Sequence, residues 1–402
     1  MQHVSKPHNT GSLEAGRPKG KTGAPRESKT DTVVIGGGQA GLTVSYLLKT
    51  AGRDYVVLDA HPRIGDAWRK RWDSLVLFTP NRFNSLPGLR FPGKRDHFTT
   101  KDEMADYLEA YAEQVGIDVR LDTRVTKVRR DGAGFIVATN RGNWRANNVV
   151  VAMADLQAPK VPDFADDLDS TINQCHSHDF TSAEQLADGP VLIVGLGNSG
   201  ADIAMDVSRT HDTIVAGTPS AVVPFRIEPW FARNVLISIV RFVGLHVLNR
   251  RHPIGKRVIP KAEVKGKPLV RVKEYDLDAA TRRVGRIVGT LDGKPATEER
   301  EALDVANVIW CTGYRRDWSW IDAGARDNLG RPLQKRGVVV DVPGLYMVGQ
   351  EFLFAAASDT VTGHQLDARH VVRHLRRHAP PQIVSARGDG STRTMQAAVA
   401  SR

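Results

Sequence analysis

The chain has 402 residues, of which 41% are hydrophobic and 25% are charged. This composition is typical of a globular protein, and the length suggests two domains. No run of about 18 apolar residues occurs, so the sequence predicts no membrane-spanning helix. Residues 1–30 lack an apolar core, which argues against a secretory signal.

The net charge of +11 is unevenly distributed along the chain. Basic residues are concentrated in residues 1–30, 241–273 and 373–402, and the remainder is net acidic. Because both ends are also poor in apolar residues, residues 1–30 and 379–402 are predicted to be disordered tails. A basic excess in tails does not favour a nucleic-acid partner.

The two cysteines, Cys175 and Cys311, are far apart in the sequence and form no CxxC pair. This argues against a disulfide framework and against a dithiol reductase, and it fits a reducing cytoplasm. No metal site is predicted.

The first chemical motif follows a β-branched run. Residues Thr32–Ile35 predict a buried parallel strand, which leads into Gly36-x-Gly38-x-x-Gly41 and then into apolar residues at helical spacing. A strand, a glycine turn and a helix in this order suit a dinucleotide pyrophosphate, because glycines permit close approach and the helix N-terminus supplies N–H donors. The candidate cofactor-binding residues of this turn are Gly36, Gly38, Gln39, Ala40 and Gly41.

A second predicted strand, Tyr55–Leu58, ends at Asp59, where folds of this kind hold a ribose hydroxyl. The loop after it contains Trp68 and Trp72 with several charges and prolines, and we expect it to face a ligand rather than the core. Thr100 and Glu103 predict a capping box at the start of a helix that runs to residue 115.

Residues 117–151 alternate apolar and polar residues, which predicts a meander of short strands followed by a buried strand. Pro159 and Pro162 then mark a hinge or domain boundary.

The opening pattern returns in the middle of the chain. A predicted strand at Val191–Val194 leads into Gly195-x-Gly197-x-x-Gly200 and an apolar helix. Two such units imply two dinucleotides, unless the second is a duplicated scaffold with an inactive site. The candidate cofactor-binding residues of this turn are Gly195, Gly197, Asn198, Ser199 and Gly200.

Residues 235–248 form an apolar stretch with Leu236, Ile239, Val240, Val243 and Val247 on one helical face. It is too short to span a bilayer, and we expect a core or dimer helix rather than an interfacial anchor. The basic residues that follow keep contact with a membrane surface open as an alternative.

Three further elements complete the chain. Val305–Cys311 and residues 344–349 predict buried strands, and His370–Arg377 predicts a terminal basic helix.

Together these segments resemble the class B flavoprotein monooxygenases, which include the flavin-containing monooxygenases and the YUCCA enzymes. Bacterial flavoproteins associated with potassium transport are nearer still. The resemblance covers residues 31–377 and rests on four segments besides the first glycine turn. These segments are residues 65–80, 195–204, 310–314 and 344–349.

The resemblance implies an α/β fold with two Rossmann-like dinucleotide-binding domains. The FAD domain would be discontinuous, with residues 31–160 and 301–378, and an NAD(P)H domain of residues 161–300 would be inserted between them. FAD would be held by the first glycine turn and Asp59, with NADPH or, alternatively, NADH at the second turn. Further cofactor contacts implied by the resemblance are Trp68, Thr79, Val125, Thr312, Gly313 and Gly349.

The chain departs from the family pattern at several positions. In the family signature around His176 a Phe and a Gly are replaced by Ser170 and Ile172, while the final aromatic residue is Phe180. A family glycine is replaced by Ala154, which would be strained if that position requires a positive φ.

An arginine that would pair with the 2′-phosphate of NADP is replaced by Thr218, unless Arg226 or the basic residues 250–273 substitute for it. Phe180 also stands where Baeyer–Villiger enzymes carry Trp, which disfavours ester- or lactone-forming chemistry.

The implied function is an NAD(P)H-driven, FAD-dependent monooxygenase that inserts one oxygen atom from O2 into a small, lipophilic substrate through a C4a-peroxyflavin. Asn81 is a candidate polar contact to the flavin, and His176 is a candidate that we interpret as structural. The alternatives are a flavin-binding accessory or sensor protein linked to ion transport and an NAD(P)H:flavin electron-transfer reductase. A homodimer is a further expectation.

Overall fold

The computed structural model describes residues 27–378, except residues 156, 323 and 329. The predicted tails lie outside the described residues apart from residues 27–30. These four residues form a strand and not a tail, because they extend the first strand to Glu27–Ile35 against residues 143–151.

The helices are α1 (Gln39–Thr50), α2 (Asp66–Arg69), α3 (Lys101–Val115), α4 (Asn198–Val207), α5 (Ile237–Phe242), α6 (Pro253–Lys265), α7 (Glu274–Ala280) and α8 (Gly363–His378). Short π-helical turns at Ala232–Leu236 and Val243–Val247 flank α5, and short 3-10 turns lie at Asn81–Phe83, Asp163–Asp167 and Ala183–Gln185.

The strands are β1 (Glu27–Ile35), β2 (Tyr55–Leu58), β3 (Val76–Pro80), β4 (Phe98–Thr100), β5 (Val119–Arg120), β6 (Val125–Asp131), β7 (Gly134–Thr139), β8 (Gly142–Val151), β9 (Ala158–Pro159), β10 (Asn173–His176), β11 (Val191–Val194), β12 (Thr213–Ala216), β13 (Arg282–Val284), β14 (Ile287–Leu291), β15 (Lys294–Thr297), β16 (Asn307–Trp310), β17 (Tyr314–Arg315), β18 (Gln334–Lys335), β19 (Val338–Val339) and β20 (Leu345–Met347).

The first sheet is built around β1. Strands β5, β2, β1, β8 and β20 lie side by side and parallel, and β6 and β7 form the predicted meander beside β8. The last three residues of β1 and the last three residues of β2 are apolar and buried, because helices and loops cover both faces of these strands. Helix α3 begins at the predicted capping box, in which Thr100 and Glu103 bond each other's backbone N–H.

The second sheet has the order β10-β16-β11-β12-β13, and all of its strand pairs are parallel. Strand β16 lies between β10 and β11, whereas the sequence placed residues from 301 onwards with the first sheet. The apolar run around residues 307–310 suits either sheet, so only the pairing decides its position. The chain crosses from the first sheet to the second at β9 and crosses back after β17. These two crossings lie side by side, because β9 and β17 pair at Pro159 and Tyr314.

The segment with two tryptophans joins the two sheets. Trp72 is 5% exposed and packs in the apolar cluster of the second sheet with Phe180 and Ile193. Trp72 is therefore a core residue and does not share the ligand-facing orientation predicted for its loop, because its burial against the second sheet depends on residues distant in the sequence. The neighbouring Arg71 donates from Nη1 to the Tyr314 hydroxyl at 2.8 Å, which fixes the segment to the crossing.

The predicted helix at 235–248 is present as α5 with its two π-helical flanks. The side chains it buries are Ile237 and Leu245, whereas Ile239 and Val240, which the periodicity assigned to the inner face, are exposed. The π-helical turns change the residues per turn, so the buried stripe does not follow α-helical spacing. The expected core helix is in fact half uncovered.

Candidate functional site

The first glycine turn needs glycine at two positions for packing reasons. Gly36 has a φ of +108°, which side chains rarely adopt. A Cβ at Gly41 would lie 1.8 Å from the carbonyl oxygen of Gly36, so α1 approaches the end of β1 only because this residue is glycine. Both positions therefore shape the turn itself.

Gly38 is a glycine for another reason. Its φ of −79° suits any residue, and a Cβ there would meet no atom within 4 Å. The open space lies at the N-terminus of α1, whose first N–H groups point out of the helix. Only an occupant that approaches the backbone closely needs this position free of a side chain, and a pyrophosphate fits that requirement.

A second observation comes from the other side of this cradle. A Cβ at Gly349 would lie 2.8 Å from the Cβ of Ala40, so the loop after β20 touches the start of α1. The next side chain, Gln350, is 1% exposed and donates from Nε2 to Val151 O and Met153 O. Its Oε1 is buried without a hydrogen-bond partner among the described residues, so it is available to accept from a hydroxyl or N–H donor of a ligand.

Asp59 lies at the end of β2, as predicted. Its Oδ2 accepts the N–H of Gly37 at 2.5 Å, and its Oδ1 accepts the N–H and Nδ1 of His61 at 2.8 and 2.9 Å. Burial acts to raise the pKa of Asp59, but the hydrogen bonds from His61 and Gly37 outweigh it and hold the pKa below its usual range. An ionised carboxylate is thus held beside the glycine turn.

Two more predicted flavin contacts lie near this turn. Trp68 donates from Nε1 to Gln39 Oε1 at 3.3 Å, so its indole is fixed to the first residue of α1. Val125 begins β6, two residues after Thr123, whose N–H donates to the carbonyl oxygen of Asp59 at 2.8 Å. Trp68 therefore lies beside the first glycine turn, and Val125 lies close in sequence to a residue bonded to Asp59.

Polar residues at the end of β3, in the turn after it and in β4 form one hydrogen-bonded network. Thr79 donates to Asn84 Oδ1 at 2.6 Å, and Asn84 donates to Thr99, which donates to Asn81 Oδ1 at 2.6 Å. Asn81 itself donates to Pro92 O and is 3% exposed. Both groups of Asn81 are engaged with the protein, so its side chain holds the loop in shape.

The second glycine turn repeats the geometry of the first. Gly195 has a φ of +102°, and a Cβ at Gly200 would lie 2.0 Å from Gly195 O. A Cβ at Gly197 would meet no atom within 4 Å, so the same open cradle faces the N-terminus of α4. Asn198 and Ser199 form the first turn of that helix, and both are partly buried.

Asn198 connects the second turn to a distant segment. Its Nδ2 donates to Pro268 O and its Oδ1 accepts the N–H of Val270, both at 3.0 Å. The preceding Lys267 forms ion pairs with Glu351 and Asp359, next to the Gly349 loop. Burial acts to lower the pKa of Lys267, but Asp359 and Glu351 outweigh it and raise the pKa. One segment thus couples the two glycine turns.

A cation that was not predicted from the sequence, Arg283, lies at the end of β12. Thr218 is exposed there, where an arginine was expected. Arg283 of β13 instead donates from Nη2 to Gly217 O at 3.1 Å, and its Nε is buried without a partner among the described residues. Its Nη1 bonds Asp278 at 3.1 Å. No local signal marks this residue, because it lies 66 positions from Gly217 in the sequence.

Three of the cations considered as substitutes from the sequence hydrogen-bond other parts of the chain. Arg226 bonds Asp276 Oδ1 at 2.5 Å. Within the basic segment, Arg271 donates to Val76 O at 3.2 Å and Lys273 donates to Val223 O at 2.9 Å.

His176 serves the crossing between the sheets. Its Nε2 lies 3.0 Å from Gly313 O, and its Nδ1 accepts the N–H of His178 at 3.0 Å, so the ring is neutral with the proton on Nε2. Burial lowers the pKa of His176 and favours this neutral form. Thr312 hydrogen-bonds Lys160 O on the other crossing, and Gly313 has a φ of +81°. His176, Thr312 and Gly313 therefore all take part in hydrogen bonds that hold β10, β17 and the segment after β9 together.

The departures from the family signature fit the structure without strain. Among the described residues, the non-glycine residues with a positive φ do not include Ala154. Ile172 is 8% exposed and packs in an apolar cluster of the second sheet with Leu192 and Trp310.

Comparisons with known proteins agree with this geometry. Residues 33–235 match the family of pyridine nucleotide-disulphide oxidoreductases. The chain is 35% identical to a CzcO-like oxidoreductase of Geobacillus kaustophilus over 87% of this chain and 99% of that protein. It is 29% identical to the indole-3-pyruvate monooxygenase YUCCA1 of rice, Oryza sativa subsp. japonica, over 82% of this chain and 89% of that protein.

Among solved structures, the chain is similar to the flavin-containing monooxygenase of Stenotrophomonas maltophilia. The TM-score is 0.69 and the identity 26%, over 87% of this chain and 99% of that one.

Proposed function

This chain belongs to the flavoprotein monooxygenases among the pyridine nucleotide-disulphide oxidoreductases, and we propose that it oxygenates a small, lipophilic substrate. It is an oxidoreductase that uses FAD and NADPH. In each turnover NADPH is oxidised, one atom of O2 enters the substrate and the other leaves as water. The single observation that carries the proposal is the pair of open glycine cradles at Gly38 and Gly197, coupled through residues 267–270.

The first cradle would hold FAD. Gly36, Gly38 and Gly41 would admit the pyrophosphate to the N-terminus of α1, and Asp59 would accept from a ribose hydroxyl. The free Oε1 of Gln350 supports a further hydroxyl contact. Bound FAD would supply the redox chemistry by accepting hydride from NADPH and then activating O2 as a C4a-peroxide.

The second cradle would hold NADPH. Gly197 would admit the pyrophosphate, and the guanidinium of Arg283 would meet the 2′-phosphate beside Thr218. The unpartnered Nε of Arg283 supports this role. Preference for NADPH over NADH would therefore come from β13 instead of the loop after β12.

The remaining work of the protein is to orient the two cofactors and exclude water. Lys267 and Asn198 would fix the second turn against the loop after β20, and Arg71 and Trp72 would hold the segment between the sheets. No acid or base of the chain is required for oxygen transfer, which agrees with the structural role of His176.

One stopped-flow experiment tests the proposal. The holoenzyme is reduced anaerobically with NADPH and mixed with O2 while the flavin absorbance is recorded. We expect rapid reduction, followed by a transient absorbance species that differs from both reduced and oxidised flavin. Reoxidation without a transient, together with electron transfer to a carrier, would identify an electron-transfer reductase. Failure of NADPH to reduce the flavin would identify an accessory or sensor protein.

A further inference from the structure

Exposed apolar side chains are concentrated in one segment. Among the residues that the structure describes, eight of the thirteen exposed large hydrophobic residues lie within residues 230–264, here called the apolar-basic face. They include Trp230 at 70% exposure and Phe242 at 57%. The members are Trp230, Phe231, Ile239, Val240, Phe242, Ile254, Val258 and Val264. Such a concentration marks a surface that another body covers.

The same segment is strongly basic. Residues 230–264 contain seven Lys or Arg residues, and their one acidic residue is Glu263. Arg250 and Arg331 bind Glu263 at 2.7 and 3.0 Å, so this carboxylate is already neutralised. No ion pair within 4 Å involves Arg251, Lys256, Arg257 or Lys261 among the described residues. The face therefore carries an uncompensated positive charge beside its apolar side chains.

An open pocket of about 500 Å³ adjoins this face. Its walls come from the segment and from the first sheet's loops, and they include Leu245, His246, Arg251, Pro253, Arg336 and Phe354. The exposed ring of Phe242 contacts the His246 ring at a centroid distance of 4.9 Å, and the exposed Ile254 follows Pro253. The pocket mouth is therefore continuous with the exposed apolar side chains.

The pocket contains two arginines without ion-pair partners in the described part of the chain. The guanidinium carbons of Arg251 and Arg336 lie 5.8 and 4.3 Å from the centre of the Phe354 ring. The Nε of Arg336 is buried and has no hydrogen-bond partner among the described residues. The acid whose charge acts on Arg336 is Asp367, which is itself buried and accepts from Ser358 Oγ at 2.7 Å.

The pKa of the neighbouring His370 reflects the charges around it. Burial and the charges of Arg336, His374, Arg251 and Arg373 lower the pKa of His370 to about 4. The charged and titratable groups that contribute to this shift beside burial are all basic. An anion in the pocket would relieve this excess and would complete the bonding of Arg336.

We propose that the apolar-basic face docks on the surface of an anionic lipid bilayer and that the Arg251–Arg336 pocket takes a lipid phosphate. The exposed aromatic and aliphatic side chains enter the boundary between headgroups and acyl chains, and the surrounding cations meet the headgroups. A second copy of the chain suits the face less well, because a symmetric contact would bring two uncompensated positive surfaces together.

Co-sedimentation of the full-length holoenzyme with vesicles tests this proposal. Phosphatidylcholine vesicles are compared with vesicles in which part of the lipid is phosphatidylglycerol. We expect binding to the anionic vesicles that weakens with added salt, since surface attraction is screened. Arg251→Gln/Arg336→Gln is expected to weaken binding by about five-fold for each cation removed. Ile239→Ser/Phe242→Ser is expected to weaken it at least as much, because apolar insertion is lost.

The chain offers matched controls for both variants. Val288 and Tyr275 are as exposed as Ile239 and Phe242, at 53% and 57%, so Val288→Ser/Tyr275→Ser controls for lost apolar surface. Arg124 and Arg129 are exposed cations outside the face, so Arg124→Gln/Arg129→Gln controls for lost charge. Both control proteins should bind like the wild type. Every variant retains residues 1–26 and 379–402, so their basic residues contribute equally throughout.

Three results would overturn the proposal. The first is that the wild-type protein does not bind anionic vesicles, or that the two face variants bind them as strongly as their control variants do. The second is a concentration-dependent dimer, seen by light scattering, that Ile239→Ser/Phe242→Ser dissociates, because a second copy would then cover the face. The third is that the wild-type protein binds inorganic phosphate in calorimetry through Arg251 and Arg336 but does not bind anionic vesicles. Unchanged flavin absorbance and unfolding midpoint show that each variant is folded.

Discussion

The two glycine turns have nearly the same backbone geometry, one in each sheet. In both, the first glycine has a φ above +100°, at +108° and +102°, and the last glycine lies where a Cβ would collide with a carbonyl oxygen. In both, the middle glycine borders open space. The turns differ at the end of the neighbouring strand, where the first sheet has the carboxylate of Asp59 and the second has the guanidinium of Arg283.

This difference indicates which residues distinguish one dinucleotide from another. The glycines provide a generic pyrophosphate cradle, because backbone N–H groups and a helix terminus recognise any such group. A carboxylate beside the cradle suits ribose hydroxyls, whereas a cation suits a 2′-phosphate. The following variants test this division from the largest expected effect to the smallest.

Gly41→Ala and Gly200→Ala should have the largest and most equal effects. Each Cβ would lie within 2.0 Å of a carbonyl oxygen, so a helix must move away from its sheet. We expect a loss of about 3 kcal/mol or more in the free energy of unfolding, measured with urea. Gly289→Ala is the control, since a Cβ there meets no atom within 4 Å. A wild-type unfolding midpoint in either variant would contradict the geometry.

Gly38→Ala and Gly197→Ala should separate the two cradles. Both residues have negative φ values and free space, so we expect each apoprotein to lose at most about 1 kcal/mol of stability. Gly38→Ala should weaken FAD binding by about 100-fold, or roughly 2.7 kcal/mol, and leave the second cradle intact. Gly197→Ala should keep the flavin and weaken NADPH by a similar factor. Fluorescence titration measures both affinities, and loss of FAD in Gly197→Ala would refute the assignment.

Arg283→Ala should weaken NADP⁺ binding to the oxidised holoenzyme by about 10- to 100-fold, because a charge-assisted hydrogen bond is worth roughly 1.5–3 kcal/mol. Binding of NAD⁺, which lacks the phosphate, should not change. Arg282→Ala is the matched control on the same strand, since the Arg282 side chain is 52% exposed and pairs with Glu301. Equal weakening of both nucleotides would show that Arg283 acts only on the fold.

Asp59→Asn should have a modest effect on stability with a characteristic pH dependence. The pKa of Asp59 is lowered in the folded chain, so its ionised form stabilises the fold above the unfolded value of about 3.9, and this stabilisation is lost as the pH falls through the folded value. At pH 7 we expect the variant to be about 1–2 kcal/mol less stable. The difference from wild type should shrink below about pH 4 in urea titrations. A constant difference would mean that charge plays no part.

Local patterns allowed much of this fold to be predicted. Tyr55–Leu58 and Val191–Val194 form strands with the predicted bounds, and Thr100 caps its helix as expected. Each of these features depends on residues within a few positions of one another, so the sequence contains the whole signal. The terminal helix was recognised but begins earlier, at Gly363, because its first turn has no basic or apolar pattern.

Residues joined across long separations could not be predicted. Trp72 packs in the second sheet's cluster, Gln350 hydrogen-bonds the end of β8, and β16 lies between β10 and β11. The residues that precede and follow each of them in the sequence give no information about its distant contact partner. The same holds for Arg283, whose contact with Gly217 requires β12 and β13 to pair.

The sequence by itself determined that two strand–turn–helix units exist and that one ends in an acid, because glycine spacing and apolar periodicity are written in contiguous residues. The tertiary structure alone decided which cation stands beside the second turn, how residues 267–270 couple the two cradles, and which face of residues 230–264 stays uncovered. These properties arise from packing between distant elements. Burial and electrostatics there depend on neighbours that the linear order does not reveal.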